Sequence, residues 1–326
     1  MKKLITLSIL TSLLVGCGGE GFFVKKYSEE YARKNLVPAA PAKIYANAKE
    51  IAIEAFNRIE MISVSEYDQL LKSGAPHMLI DLREGSEVAS GKYDNAIHIP
   101  RGVLEFKVAN PEKWKSVVTS LPMPSKNDAI VVYCKSGMRS ALATDNMQLM
   151  GFTNVKMIRG GWDQQKKGLE DEGSKPVKRE IPPVKIIGKF KNGKELTASV
   201  KANCTPIAVT QIKDYLAATP NVYLFDVRQP KEYKAGHIDN AILVPRGASE
   251  FKFTIQKNWA KVKTTRPMPG KNDSIVLYCK KGSRSVLIAD AMRKMGFTNV
   301  RYLDGGWIQF QKGTDVEPAV DDGGCG

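Results

Sequence analysis

The second half of this chain repeats the first at a fixed offset of 145 residues: Asp81 answers to Asp226, Cys134 to Cys279, and Gly160-Gly161-Trp162 to Gly305-Gly306-Trp307. From Ile62/Ile207 to Gly168/Gly313 the two copies align without a gap, and about half the positions are identical in the better-matched part. A period this long marks a duplicated globular domain rather than a solenoid, whose repeats run about 20–50 residues. The 326 residues fit two such units, at about 100–200 residues per domain. Hydrophobic residues at 43% and charged residues at 25% are ordinary for a soluble globular chain. They exclude a wholly disordered chain and a multi-span membrane protein.

Each copy alternates strand and helix signals. Met78–Leu82, Val222–Val227, Ala129–Tyr133 and Ser274–Tyr278 are short apolar runs of the kind that form buried parallel strands. A helical pattern follows at about Ser140–Met150 and Ser285–Met295, closed by Gly151 and Gly296. The alternation predicts an α/β fold, two tandem domains each with a parallel sheet flanked by helices. The boundaries are a leader over 1–17, an N-terminal linker and helix over 18–60, with the amphipathic helix near Ala42 to Met61, and a first domain over 61–170. A connector follows over 171–204, then a second domain over 205–315 and a tail over 316–326. Asn192-Gly193 between apolar runs predicts a hairpin in the connector. Trp114/Trp259 and Trp162/Trp307 recur between the copies and read as core.

Chemistry concentrates in two loops. They read Cys134-Lys135-Ser136-Gly137-Met138-Arg139-Ser140 and Cys279-Lys280-Lys281-Gly282-Ser283-Arg284-Ser285. Each cysteine ends an apolar strand and opens a helix. A helix N-terminus carries unpaired N–H groups and partial positive charge, which stabilise a thiolate and attract anions. Gly137 and Gly282 allow the sharp turn that aims successive N–H groups inward. Arg139 and Arg284 offer planar forks to an anion, or alternatively pair with carboxylates. Lys135, Lys280 and Lys281 add charge at the rim. The bland alternative, two small buried residues ending core strands, explains one such cysteine better than it explains two in matching loops. Asp81-x-Arg83 and Asp226-x-Arg228 read as structural ion pairs, with Glu87 and Glu232 as further partners.

These strings resemble the rhodanese-like sulfurtransferase family, in tandem form. C-x-x-G-x-R is similar to its active-site loop, twice over. Asp226-Val227-Arg228-x-x-x-Glu232-Tyr233, Gly236-His237-Ile238 through Pro245, and Gly305-Gly306-Trp307 resemble its other signatures. The resemblance spans about two-thirds of the chain. It implies that Cys134 and Cys279 are nucleophiles forming persulfides, with Lys135, Ser136, Gly137, Met138 and Arg139, and Lys280, Lys281, Gly282, Ser283 and Arg284, as the substrate cradles. It implies small sulfur anions (thiosulfate, polysulfide) as donors and cyanide or thiols as acceptors, and no cofactor. A persulfide-binding carrier module is the alternative. In the first copy Gly91-Lys92-Tyr93 replaces the Gly-His-Ile of the second. Phosphatases of related fold use C-x5-R; C-x4-R here makes a smaller cradle suited to sulfur.

No C-x-x-C pair occurs and histidine is limited to His77, His98 and His237, so no metal site of the usual zinc spacing is expected. Met1-Lys2-Lys3, an uncharged run from Leu4 to Val15, and Gly16-Cys17 form an export signal. Its end resembles a bacterial lipobox, with Cys17 as the lipidated residue. The expectation is a cell-envelope protein held to the membrane through lipid only and facing the periplasm or exterior. Loss of Lys2 and Lys3 with the leader takes the charge from +15 to +13. No dense basic run with interleaved aromatics appears, so nucleic acid is not an expected partner. Cys204 and Cys325 stand outside the repeat. A buried thiol, a disulfide, and a sulfur relay through Cys325 are the three readings.

Overall fold

A computed structural model describes residues 41–118, 120–167 and 188–313. The leader with Cys17 and the tail with Cys325 lie outside the described residues. Each copy builds one five-stranded sheet. In the first, β1 (Glu60–Ile62), β2 (Met78–Asp81), β3 (Ile97–His98), β4 (Ile130–Tyr133) and β5 (Val155–Ile158) stand in the order β1-β5-β4-β2-β3. In the second, β6 (Thr205–Ile207), β7 (Tyr223–Asp226), β8 (Ile242–Leu243), β9 (Ile275–Tyr278) and β10 (Val300–Leu303) stand in the order β6-β10-β9-β7-β8. All pairs are parallel. The fold class is thus the α/β pair that the alternating pattern predicts.

The strands follow the apolar runs because both faces of a parallel sheet are covered. All four residues of β4 and all four of β9 are buried. Each outer face has its own small cluster, with Tyr67, Leu79, Val131 and Tyr133 in one copy and Ile212, Leu224, Val276 and Tyr278 in the other. The inner faces share one continuous cluster. It runs from Ala52 and Val132 in the first half to Phe253 and Leu277 in the second. The two domains are therefore fused through a common apolar core.

The seam between them has approximate two-fold symmetry. Arg101 forks onto Glu250 with two bonds of 2.9 Å, and Arg246 forks onto Glu105 at 2.6 and 2.9 Å. Each residue of one pair is the counterpart of its opposite number in the other. Gly102 and Gly247 meet back to back: a Cβ on Gly102 would stand 3.0 Å from the Gly247 nitrogen. This is the isologous contact of a symmetric dimer, made within one chain.

Two sequence expectations need correction. The helix expected near 42–61 is shorter, Ala48–Phe56, and Glu60–Ile62 is the edge strand β1. Asn47 caps the helix by accepting from the Lys49 N–H. It rests on both domains: Arg58 forks onto Asp145 at 2.9 and 2.7 Å, while the Ala48 N–H donates to Thr254 Oγ1 at 3.2 Å. The hairpin expected at Asn192-Gly193 is instead the start of a helix, Gly193–Lys201. The Asn192 side chain accepts from the N–H groups of Lys194 and Glu195, so Asn acts as a helix cap rather than a turn residue. Leu196 and Thr197 then bury one face.

Candidate active site

Cys134 follows the last residue of the central strand β4, and Cys279 that of β9. The helices Met138–Leu149 and Ser283–Lys294 begin one residue beyond Gly137 (φ 93°) and Gly282 (φ 102°), which are their N-cap residues. This backbone region suits glycine. In both loops the glycine N–H donates to the cysteine Sγ at 3.2 Å. Ser140 and Ser285 brace the turn from the first helical turn. Their hydroxyls donate to the glycine carbonyl at 2.8 and 2.7 Å and stand 3.6 and 3.8 Å from Sγ. Each sulfur thus meets a hydrogen-bond donor at a helix N-terminus, where the unpaired N–H groups carry partial positive charge.

The Gly-Gly-Trp strings clamp the loops from behind. Trp162 and Asp163 N–H groups donate to the carbonyls of Cys134 and Lys135 at 2.9 and 2.8 Å; Trp307 and Ile308 do the same for Cys279 and Lys280 at 2.8 and 3.0 Å. Gly161 and Gly306 lie so close that a Cβ would overlap the cysteine carbonyl oxygen. The signature is thus a backbone-to-backbone brace, which sequence spacing alone did not reveal. Trp162 and Trp307 are half-buried rather than core. Trp114 and Trp259, by contrast, are core at 2% and 4% exposed.

The candidate cradle residues lie in the two cysteine loops with unequal exposure. Lys135 and Ser136 are exposed and Met138 is half-buried; Lys280 and Lys281 are half-buried and Ser283 is buried. The arginines take the carboxylate alternative. Arg139 forks onto Glu87 at 2.6 and 2.8 Å, and Arg284 onto Glu232 at 2.7 and 2.7 Å. Burial pushes the Glu87 carboxyl up, but the Arg139 guanidinium outweighs it and holds the group below its usual range. Glu232 behaves alike beside Arg284. Each arginine therefore keeps its charge beside the loop with its fork already filled.

The D-x-R strings are structural, as expected, but their arginines pair within the string. Arg83 bonds Asp81 at 2.6 Å and reaches the Gly91 carbonyl at 2.7 Å; Arg228 bonds Asp226 at 2.6 Å and the Gly236 carbonyl at 2.6 Å. Glu87 gives Arg83 only its backbone carbonyl, at 3.1 Å. His237 is exposed and stacks on Tyr233 with ring centroids 3.7 Å apart. Cys204 is buried, with its thiol 3.5 Å from the carbonyls of Val200 and Val286. Burial pushes it up to about 12, so at neutral pH it is a thiol.

Two shielded sulfurs, each ending the central strand of a five-stranded parallel sheet and facing a helix N-terminus, define a tandem α/β protein with paired thiol loops. A profile of the rhodanese-like domain matches residues 63–167 and 208–312, and the chain belongs to that family. It is similar to thiosulfate sulfurtransferase 16, chloroplastic, of Arabidopsis thaliana, at 35% identity over 109 residues, 32% of this chain and 86% of that one. It is also similar to a putative mitochondrial thiosulfate sulfurtransferase of Schizosaccharomyces pombe, at 32% identity over 85 residues, 26% of this chain and 60% of that one. A crystal structure of thiosulfate sulfurtransferase from Pseudomonas aeruginosa shares the fold, with a TM-score of 0.55 at 19% identity, over 80% of this chain and 46% of that one. The chain thus spans from about a quarter to three-fifths of the length of several curated relatives.

Proposed function

We propose that this protein is a sulfurtransferase that moves sulfane sulfur from thiosulfate, or a related donor, to a thiophilic acceptor through persulfides on Cys134 and Cys279. The observation that carries the reading is the pair of loops in which a glycine N–H at a helix N-terminus meets Sγ at 3.2 Å. The Cys thiolate attacks the outer sulfur of thiosulfate. A bond forms between Sγ and that sulfur, the bond to the sulfonate sulfur breaks, and its electron pair leaves on sulfite. Cyanide or a thiolate then attacks the outer persulfide sulfur, and the electron pair of that bond returns to Sγ. No base is consumed in the first half-reaction, and the N–H groups around the loop stabilise the anionic sulfur at each stage.

The arginines contribute as positioning groups. By holding Glu87 and Glu232 they fix the short helices Gly85–Val88 and Pro230–Lys234 beside the loops. The leader string Met1–Cys17 supports the further proposal that the protein is lipid-anchored at the cell envelope. No described helix is long and apolar enough to cross a membrane.

The test is thiosulfate:cyanide transfer in wild type, Cys134→Ser, Cys279→Ser and the double variant, with intact-mass detection of a gain of one sulfur after donor treatment. The double variant is expected to lose both transfer and loading. Full activity in the double variant, or no sulfur loaded on either cysteine by any sulfane donor, sinks the reading. Stable loading with negligible cyanide turnover would instead favour a persulfide carrier.

A further inference from the structure

One residue in each copy ties its cysteine loop to the seam. Glu84 opens the short helix Gly85–Val88, and its N–H donates to Glu87 Oε2 at 2.9 Å. The Glu87 carboxylate accepts from both nitrogens of the Arg139 fork, at 2.6 and 2.8 Å. Arg139 is the second residue of the helix whose N-cap, Gly137, donates its N–H to Cys134 Sγ. In the other direction the Glu84 side chain crosses to the second domain. It packs so closely on Gly247 that a Cβ there would overlap Oε1. A ladder of hydrogen bonds and one close contact thus runs from the Cys134 loop, through Glu84, to the Pro245-Arg246-Gly247 turn of the other domain.

The second copy repeats the ladder with one change. The Gln229 N–H donates to Glu232 Oε2 at 2.8 Å, and Glu232 holds Arg284. The Gln229 amide lies against Gly102, where a Cβ would stand 3.2 Å from Nε2. A carboxylate stands at the crossing in the first copy and a neutral amide in the second. Both Glu84 oxygens are buried and have no hydrogen-bond partner among the described residues. Burial pushes the carboxyl up to about 6, and the charges that face it are Arg139, Glu87, Lys252 and Arg101. His98 stands nearby: its Nε2 bonds the Arg83 carbonyl at 2.9 Å, and a Cβ on Gly85 would meet its ring at 4.0 Å. Once ionised, Glu84 sets a second negative charge beside Glu87 and competes with it for the Arg139 guanidinium.

We propose that Glu84 is a positioning residue for Cys134: neutral, it leaves the Arg139–Glu87 fork intact and the sulfur reactive; ionised, it weakens the fork and lowers the reactivity of Cys134. This role rests on the sulfurtransferase reading and deepens it, giving the first site a pH control that the second, with Gln229 at the crossing, lacks.

The full chain carrying Cys279→Ser reports Cys134 alone. In it, kcat/KM for thiosulfate is measured with and without Glu84→Gln from pH 4.5 to 8, so that the titrations of thiol and donor cancel in the ratio. Glu84→Gln is expected to match its parent at pH 5 and to exceed it about threefold or more at pH 7.5. Histidines change charge in the same range, so His98→Leu, which copies Leu243 of the second domain, is the control; it is expected to keep the step. A second readout needs no turnover: alkylation of Cys134 by neutral iodoacetamide, followed on the isolated peptide, is expected to give the same ratio. A ratio that is flat in both readouts, or shifted equally at pH 5 and pH 7.5 as a merely structural role would shift it, overturns the proposal and leaves the sulfurtransferase reading intact. A step lost in His98→Leu assigns the control to the histidine and overturns the role of Glu84 in the same way. A parent that loads no sulfur on Cys134 at any pH, yet shows the alkylation step, overturns the sulfurtransferase reading at that site and leaves the positioning role standing.

Discussion

At the N-cap of the short helix Gly85–Val88 stands Glu84, and at the same place in the second domain, before Pro230–Lys234, stands Gln229. Around them the backbone is nearly identical: a D-x-R pair behind, a glutamate (Glu87 or Glu232) accepting from the N–H that opens the short helix, and an arginine–glutamate fork beside the loop. What differs is the charge packed against that frame. The first domain holds the carboxylate Glu84 there, and the second holds the neutral Gln229. Duplication kept the device that holds the sulfur and changed the field around it.

The clamp should therefore fail alike in both halves. Gly161→Ala and Gly306→Ala each place a methyl group on a cysteine carbonyl and force a residue of φ near +59° to carry a Cβ. The strain of the left-handed conformation alone is about 1–2 kcal/mol, and the overlap adds to it. Each variant, tested where the other cysteine is serine, is expected to lose transfer by about a hundredfold or more. A clear inequality between them would break the equivalence of the two loops.

The seam offers the next comparison. Arg101→Met leaves Glu250 buried without its partner, at an expected loss of about 3–5 kcal/mol in denaturant unfolding. Arg246→Met is expected to lose less, because Glu105 keeps a 2.7 Å bond from Asn146, and the counterpart of Asn146 is Ala291. Glu105 also sets an acid limit. Burial pushes it up, but Arg246 and its neighbours hold it at about 2, below the 4.5 of an ordinary glutamate. A depressed folded value means stability present above pH 4.5 and lost as pH falls toward 2. Arg246→Met should flatten that part of the pH–stability curve.

Glu84 runs the other way. Burial raises it to about 6, and neither of its oxygens has a hydrogen-bond partner. A raised carboxyl favours folding while protonated, below pH 4.5, and that share is lost as pH rises through 6. Glu84→Gln, which copies the second domain, is expected to gain about 2 kcal/mol at pH 7.5 and nothing below pH 4.5. Gln229→Glu is expected to show the mirror loss. Thermal unfolding across pH 4–8 checks both.

Much of this was legible in the sequence because a repeat doubles every signal. The strands, the loop helices and both cysteines follow from apolar runs and glycine spacing, and the register of 145 ties them together. The seam was not read, although Pro100-Arg101-Gly102 and Pro245-Arg246-Gly247 recur with Glu105-Phe106-Lys107 and Glu250-Phe251-Lys252. Within one copy these residues form no motif; their partners lie in the other copy, and a crossed pair is invisible to spacing along the chain. The fork residues show the same limit. Glu87 and Arg139 are 52 positions apart, so sequence left the arginine's partner open between an anion and a carboxylate. Asn192-Gly193 misled because Asn serves turns and helix caps by the same side-chain acceptor, and only the burial of Leu196 and Thr197 decides between them.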